Sequence, residues 1–203
     1  MHSARAFLDL LFNCLLGFVF LFIVAFLMVD IDKRKADIKT KAEFVITVTW
    51  DFNNPDDVDS WLCDPTGNII FFRAKENGLM HLDRDDLGYD NDKLLMPDGT
   101  EIFYPYNQEI TTIRGHIPGR WIFNVHLYKR SSSSQDPTNV EVKMEKLNPK
   151  VETVFLKHLA LSKQGEEVTV ARFEMNASGQ ILSMDEIQTE LVSERLTRAS
   201  HFP

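Results

Sequence analysis

The chain has 203 residues, 44% of them hydrophobic, with a formal charge of −8 and a pI near 5.2. That leaves room for one apolar helix and one domain of ordinary size, and it excludes nucleic acid as a partner, because phosphate binding needs a basic face. The two cysteines, Cys14 in an apolar run and Cys63 in the polar remainder, exclude a disulfide framework.

The first element is the apolar run within "ARAFLDLLFNCLLGFVFLFIVAFLMVDIDKRK". From Ala6 to Val29 it has 24 residues. As a helix that is roughly 36 Å, enough to cross a hydrocarbon core with some tilt. A cleaved signal peptide fits poorly, since the run is longer than an ordinary h-region and no small-x-small pattern precedes Asp30. Residues 1–30 are therefore expected to be a single transmembrane helix in a lipid bilayer. Asp9, Asn13 and Gly17 are spaced four apart and share one face of it. An ionised acid at mid-membrane costs about 2.5–3.5 kcal/mol, against about 0.3–0.6 returned by each Leu or Phe, so Asp9 should face protein or water. Two readings stand. Asp9 marks the interface and residues 9–29 cover the core, or its carboxyl carries a proton or ion, held by the amide of Asn13 or by water.

A very short N-terminus, one span with an acid early in "FLDLLFNCLL", and a single C-terminal domain resemble the TolR, ExbD and MotB subunits of motors driven by proton-motive force. The resemblance implies a stator-like complex in which two copies of the chain, a homodimer, sit inside a ring of TolQ-, ExbB- or MotA-like multi-span subunits. It places the proton-carrying role on Asp9, with Asn13 beside it, in the inner membrane. It also implies that the C-terminal domain lies in the periplasm. Lys33, Arg34, Lys35, Lys39 and Lys41 after the span, against Arg5 before it, instead favour the cytoplasm by the positive-inside bias. MotB-type proteins carry a peptidoglycan-binding domain, and no segment here reads as one.

Residues 31–44 read as a charged juxtamembrane linker. From Phe44 the apolar residues take a period of two. "FVITVTW", "RWIFNVHLY", "NVEVKMEKL" and "EEVTVARFEM" alternate, and "NIIFF" is a short buried run. The pieces between them, "NNPDD", "DPTG", "MPDG", "HIPG", "SSSSQDP" and "NASG", are turn-formers. The expected fold is mainly β, an antiparallel β-sandwich over residues 45–182 behind the N-terminal transmembrane α-helix. Residues 183–203 read as a tail: a strand end, then a short helix or a disordered end.

"NPDDVDSWLCDPTGN" and "HLDRDDLGYDND" gather Asp56, Asp57, Asp59, Asp64, Asp83, Asp85, Asp86, Asp90 and Asp92. Carboxylates at this density suit calcium, but the EF-hand spacing is absent and acidic loops are more often simply solvated turns, so no metal ligand and no cofactor is expected. "DVDSWLCDPTGNIIFF", "GLMHLDRDDLGYD" and "IPGRWIFNVHLY", in that order, resemble the YfaP-type β-sandwich domain of bacterial proteins. That resemblance implies a fold and no chemistry. His2, His81, His116, His126, His158 and His201 show no metal-ligand spacing, no serine sits in a nucleophile elbow, and no enzyme is expected. Trp50, Trp61 and Trp121 are expected to fill the sandwich.

Overall fold

The structure is a computed structural model describing residues 2–27, 41–133 and 136–193. The chain divides into two units, Met1–Thr40 and Lys41–Pro203. The expected linker lies outside the described residues as far as residue 40, and so do its basic cluster up to Lys39 and the tail beyond residue 193.

The first unit is one helix, α1 (His2–Leu27). Leu, Phe, Ile and Val dominate it on every side, and each described side chain from Ala4 to Phe26 is exposed. Ala4–Phe26 is long and apolar enough to cross a membrane, as a span or a signal sequence would be. No proline interrupts it, and Gly17 lies in its interior.

The second unit is built from strands, in chain order β1 (Phe44–Trp50), β2 (Asp57–Cys63), β3 (Ile69–Ile70), β4 (Glu76–Asn77), β5 (Met80–Arg84), β6 (Lys93–Leu95), β7 (Glu101–Phe103), β8 (Gln108–Ile113), β9 (Gly119–Lys129), β10 (Thr138–Lys146), β11 (Glu152–Leu161), β12 (Glu167–Met175) and β13 (Ile181–Asp185). Six form a sheet in the order β11-β10-β1-β8-β5-β4, five form a second in the order β13-β12-β9-β2-β3, and β6 and β7 make a separate hairpin. Every pairing is antiparallel. The protein is thus mainly β, with one N-terminal apolar helix and a β-sandwich.

Alternation explains where the core sits. β1 buries Phe44, Ile46, Val48 and Trp50 and leaves Val45, Thr47 and Thr49 half-buried; β9 buries Trp121, Phe123, Val125 and Leu127. These two sets, one from each sheet, belong to a single hydrophobic cluster, which is what facing sheets with period-two side chains produce. Trp121 is fully buried, stacks parallel to Phe173 at 6.1 Å between ring centroids, and donates its indole N–H to the Ile117 carbonyl at 3.0 Å.

β2 departs from the alternating pattern because it is buried along its whole length. Val58 and Leu62 enter the main core, whereas Trp61 and Cys63 join a second cluster with Ile69, Phe71 and Leu191. The cover comes in part from the chain after β13. The Asn124 amide donates to the Thr189 carbonyl at 2.7 Å, and the Glu167 carboxylate accepts from the Leu191 N–H at 2.7 Å. Residues 186–193 therefore pack on the five-stranded sheet, and the expected tail boundary at residue 183 falls inside β13.

Candidate functional site

Two places in the chain hold charge where burial or lipid would make it costly. The first is the stripe on α1. Asp9, Asn13 and Gly17 lie four residues apart along the helix, and Asp9 sits in a shallow hollow between Leu8, Leu11, Phe12 and Leu15. A Cβ added at Gly17 would meet nothing within 4 Å, so the stripe ends in a place where another helix can come close. All three stripe residues are exposed within the unit. The spacing read from the sequence is thus realised in a continuous helix, while the ion-carrying role assigned to Asp9 and Asn13 is a matter of chemistry beyond that placement.

The second place is in the sandwich, among the acids that the sequence offers as solvated turns. Most of them are not solvated. Asp56, Asp57, Asp59, Asp64, Asp86 and Asp92 are buried, and so is Glu109. Burying an ionised carboxylate is expensive unless hydrogen bonds or an opposite charge compensate, so each acid can be sorted by what it accepts.

One group is fully accounted for by structural hydrogen bonds. Asp56 takes the backbone N–H groups of Ser131 and Ser132, both at 2.7 Å, and the Thr138 hydroxyl at 2.6 Å, tying two loops together. Asp64 accepts from the backbone and side chain of both Thr66 and Asn68, closing the "DPTGN" turn. Asp86 accepts from the Gly88 and Gln108 N–H groups and from Arg84. Gly88 is obligatory there: its φ is +58°, and a Cβ would lie 2.6 Å from the Asp56 carbonyl oxygen.

The other group is Asp57, Asp59, Asp85 and Glu109. Asp57 and Asp59 stand on β2, Asp85 follows β5, and Glu109 stands on β8. One ligand oxygen from each of Asp59, Asp85 and Glu109 lies within 4.8 Å of the others. Asp57 Oδ1, Asp59 Oδ2, Asp85 Oδ1 and Glu109 Oε1 are buried and accept no hydrogen bond from the described residues. Nearby positive charge is sparse: Lys75 Nζ pairs with Asp85 at 2.9 Å, and His126 Nδ1 stands 3.7 Å from Asp59 Oδ2. The Ser60 N–H donates to Glu109 Oε2 at 2.6 Å.

The electrostatic consequence is strong. Two like charges 4 Å apart repel by roughly 4 kcal/mol at an effective dielectric constant of about 20, so these acids cannot all ionise unaided. Burial, then the charge of Asp59, holds the Glu109 carboxyl well above its ordinary range. Burial, followed by the charges of Asp59, Asp85 and Asp86, pushes Asp57 up to about 7. Asp59 is also raised, again first by burial, with His126 pulling the other way. In chemical terms the cluster is a pocket of proton-hungry oxygens that a cation would satisfy.

The sequence reading assigned no ligands here and missed Glu109 entirely. "DVDSWLC" contains two of the acids, but it is a strand, not a loop, and Glu109 lies 50 residues further on in "NQEITTI". A buried-looking strand whose alternation is broken by two acids was the available signal. No protein-family model matches the chain, and no curated protein matches it.

Proposed function

We propose that the chain is a single-span membrane subunit of an ion-driven motor, of the kind that TolR, ExbD and MotB exemplify, in which Asp9 takes up and releases a proton. The observation that carries the proposal is the Asp9–Asn13–Gly17 stripe, which runs on from Arg5 into a helix that is apolar on its other faces from Ala6 onward. An ionised acid costs free energy in lipid, and a carboxyl can shed that cost by taking up a proton and restore its charge by releasing it. A single helix cannot shield an ion path from lipid, so the proposal requires a multi-span TolQ-, ExbB- or MotA-like partner and two copies of this chain. The inner membrane holds the helix, and the sandwich, on the periplasmic side, transmits force or binds a target.

A cycle follows from these residues. Asp9 in its neutral form faces the apolar surroundings at low cost. Losing its proton makes it seek a cationic or hydrated site on the partner, and the change of preference drives the relative movement. Asn13, one turn along, offers an amide donor and acceptor to hold the carboxyl or a bridging water.

A second reading, a membrane-tethered binding module, is favoured by one observation: the sandwich has a cluster of unsatisfied acids of its own. Asp9 lies five residues after Ala4, about 7.5 Å along the helix, which also suits an acid at the membrane interface. The Asp9→Asn variant separates the two. Asn preserves size and polarity and cannot titrate, so in a strain lacking the wild-type gene the variant should reach the membrane at wild-type abundance and fail to restore function. Full restoration would leave only the tether.

A further inference from the structure

We propose that Asp59, Asp85 and Glu109 bind a calcium ion that ties β2 of one sheet to β5 and β8 of the other. The inference stands on the sandwich alone and does not depend on the role of Asp9.

The geometry comes first. Oxygens that coordinate calcium lie 2.3–2.6 Å from the ion, so any two of them are separated by no more than about 5 Å. The three carboxylate oxygens, all within 4.8 Å of one another, meet that limit without rearrangement.

Satisfaction of the side chains comes second, and it distinguishes this cluster from an ordinary acidic turn. Asp56, Asp64 and Asp86 lie close by in sequence and are equally buried, yet their oxygens accept hydrogen bonds from the backbone and side chains around them. Glu109 is 0% exposed and Asp59 is 2% exposed, and each keeps a buried oxygen that accepts none from the described residues. Asp85 Oδ1 is in the same condition while its other oxygen holds Lys75. Among the described residues, Lys75 and His126 are the basic groups within 4 Å of these three carboxylates, and neither reaches Glu109, so acidic groups stand in excess where a cation would sit.

The donor set and the burial choose the ion. All three donors are carboxylate oxygens, which suit hard cations, and His126 stands behind Asp59 and is not among the three. Magnesium gives up its waters reluctantly and keeps several, whereas calcium accepts six to eight oxygens in irregular geometry. A site with two almost fully buried carboxylates therefore suits calcium. Asp85, with a side chain 10% exposed, borders a hollow that Arg84, Asp92 and Tyr104 also line, which gives the ion a route from solvent.

The test uses the full-length protein in detergent micelles, stripped with EGTA and then titrated with CaCl2, with binding followed by calorimetry and by thermal unfolding. Saturable binding of one ion is expected, with a Kd of about 1 mM or tighter. At a hundredfold excess over Kd the unfolding midpoint of the sandwich should rise by roughly 5–10 °C. Glu109→Gln and the more exposed Asp85→Asn should each weaken binding at least about tenfold, and Asp98→Asn, in an exposed turn, should leave it unchanged. If Glu109→Gln does not fold, Asp85→Asn and the EGTA-stripped wild type carry the comparison. No saturable calcium binding up to about 10 mM, or unaltered binding in Asp85→Asn, overturns the site. Tighter binding of MgCl2 or MnCl2 than of CaCl2 overturns the choice of ion.

Discussion

At the scale of single residues, the protein uses carboxylates in three distinct ways, and what each one accepts decides which. Asp185 is the surface case. Arg172 grips it with Nε at 2.6 Å and a second nitrogen at 3.0 Å, and the Ile187 N–H adds a third bond at 3.0 Å. The Arg172 hydrogen bonds, then that N–H, hold Asp185 down at about 2. A carboxyl lowered on folding contributes stability above its unfolded value, near 3.8, and the contribution disappears as pH falls through the folded one. Carbon-detected NMR of the Asp185 carboxyl should give a midpoint near 2 in the wild type and a higher one in Arg172→Ala, where the Ile187 N–H still holds it below the ordinary value. A midpoint near the ordinary carboxylate value in the wild type would remove the pairing. Asp56 and Asp64 represent the second use, buried and satisfied, where the acid is a staple for loops. Asp59 and Glu109 represent the third, buried with one oxygen each that accepts no hydrogen bond from the described residues, where the acid invites a ligand.

At the scale of elements, legibility followed burial on one face or two. "FVITVTW" reads as a strand and is β1 to the residue, since one face is buried and the other half-exposed. "RWIFNVHLY" lies within β9 and "EEVTVARFEM" covers β12; β9 is buried on both faces from Phe123 to Leu127, but its second face there carries the polar Asn124 and His126, so the alternation survives in the sequence. β2 escaped because both its faces are covered, so no alternation survives, and its acids imitate a loop. β8 and β11 also went unread: "QEITTI" carries little apolar character, and "ETVFLKHLAL" interleaves its apolar residues with exposed Leu156. The acid cluster was beyond local patterning altogether, because β5 and β8 are paired within one sheet while β2 stands in the other. The stripe on α1, by contrast, was fully legible, since a helix converts spacing by four directly into one face. The main core makes its own prediction. Trp121→Ala removes a fully buried ring, its stack on Phe173 and its hydrogen bond, and should cost about 3–5 kcal/mol in urea unfolding. A loss below about 1 kcal/mol would mean that Trp121 does not join the sheets as described.

At the scale of the whole molecule, α1 leaves every described side chain from Ala4 to Phe26 exposed and is long and apolar enough to cross a membrane; the proposed function puts lipid around most of it and protein against the polar stripe. The proposed pair of copies is directly testable. Asn13→Cys in a Cys14→Ser background should form disulfide-linked dimers in native membranes under mild oxidation, and a cysteine at Phe18 in the same background, off the stripe, should form far fewer. Equal yields at both positions would indicate random collision in place of a defined helix pair. The central claim is that Asp9 changes its protonation while the protein works, and the most direct measurement is proton flux. Membrane vesicles containing this chain and its multi-span partner, loaded with a pH-sensitive dye, should acidify faster than vesicles lacking them when a proton gradient is imposed. Asp9→Asn should bring the rate down to that of the empty vesicles, and Asp9→Glu should retain part of it. Flux that persists unchanged in Asp9→Asn would contradict the account.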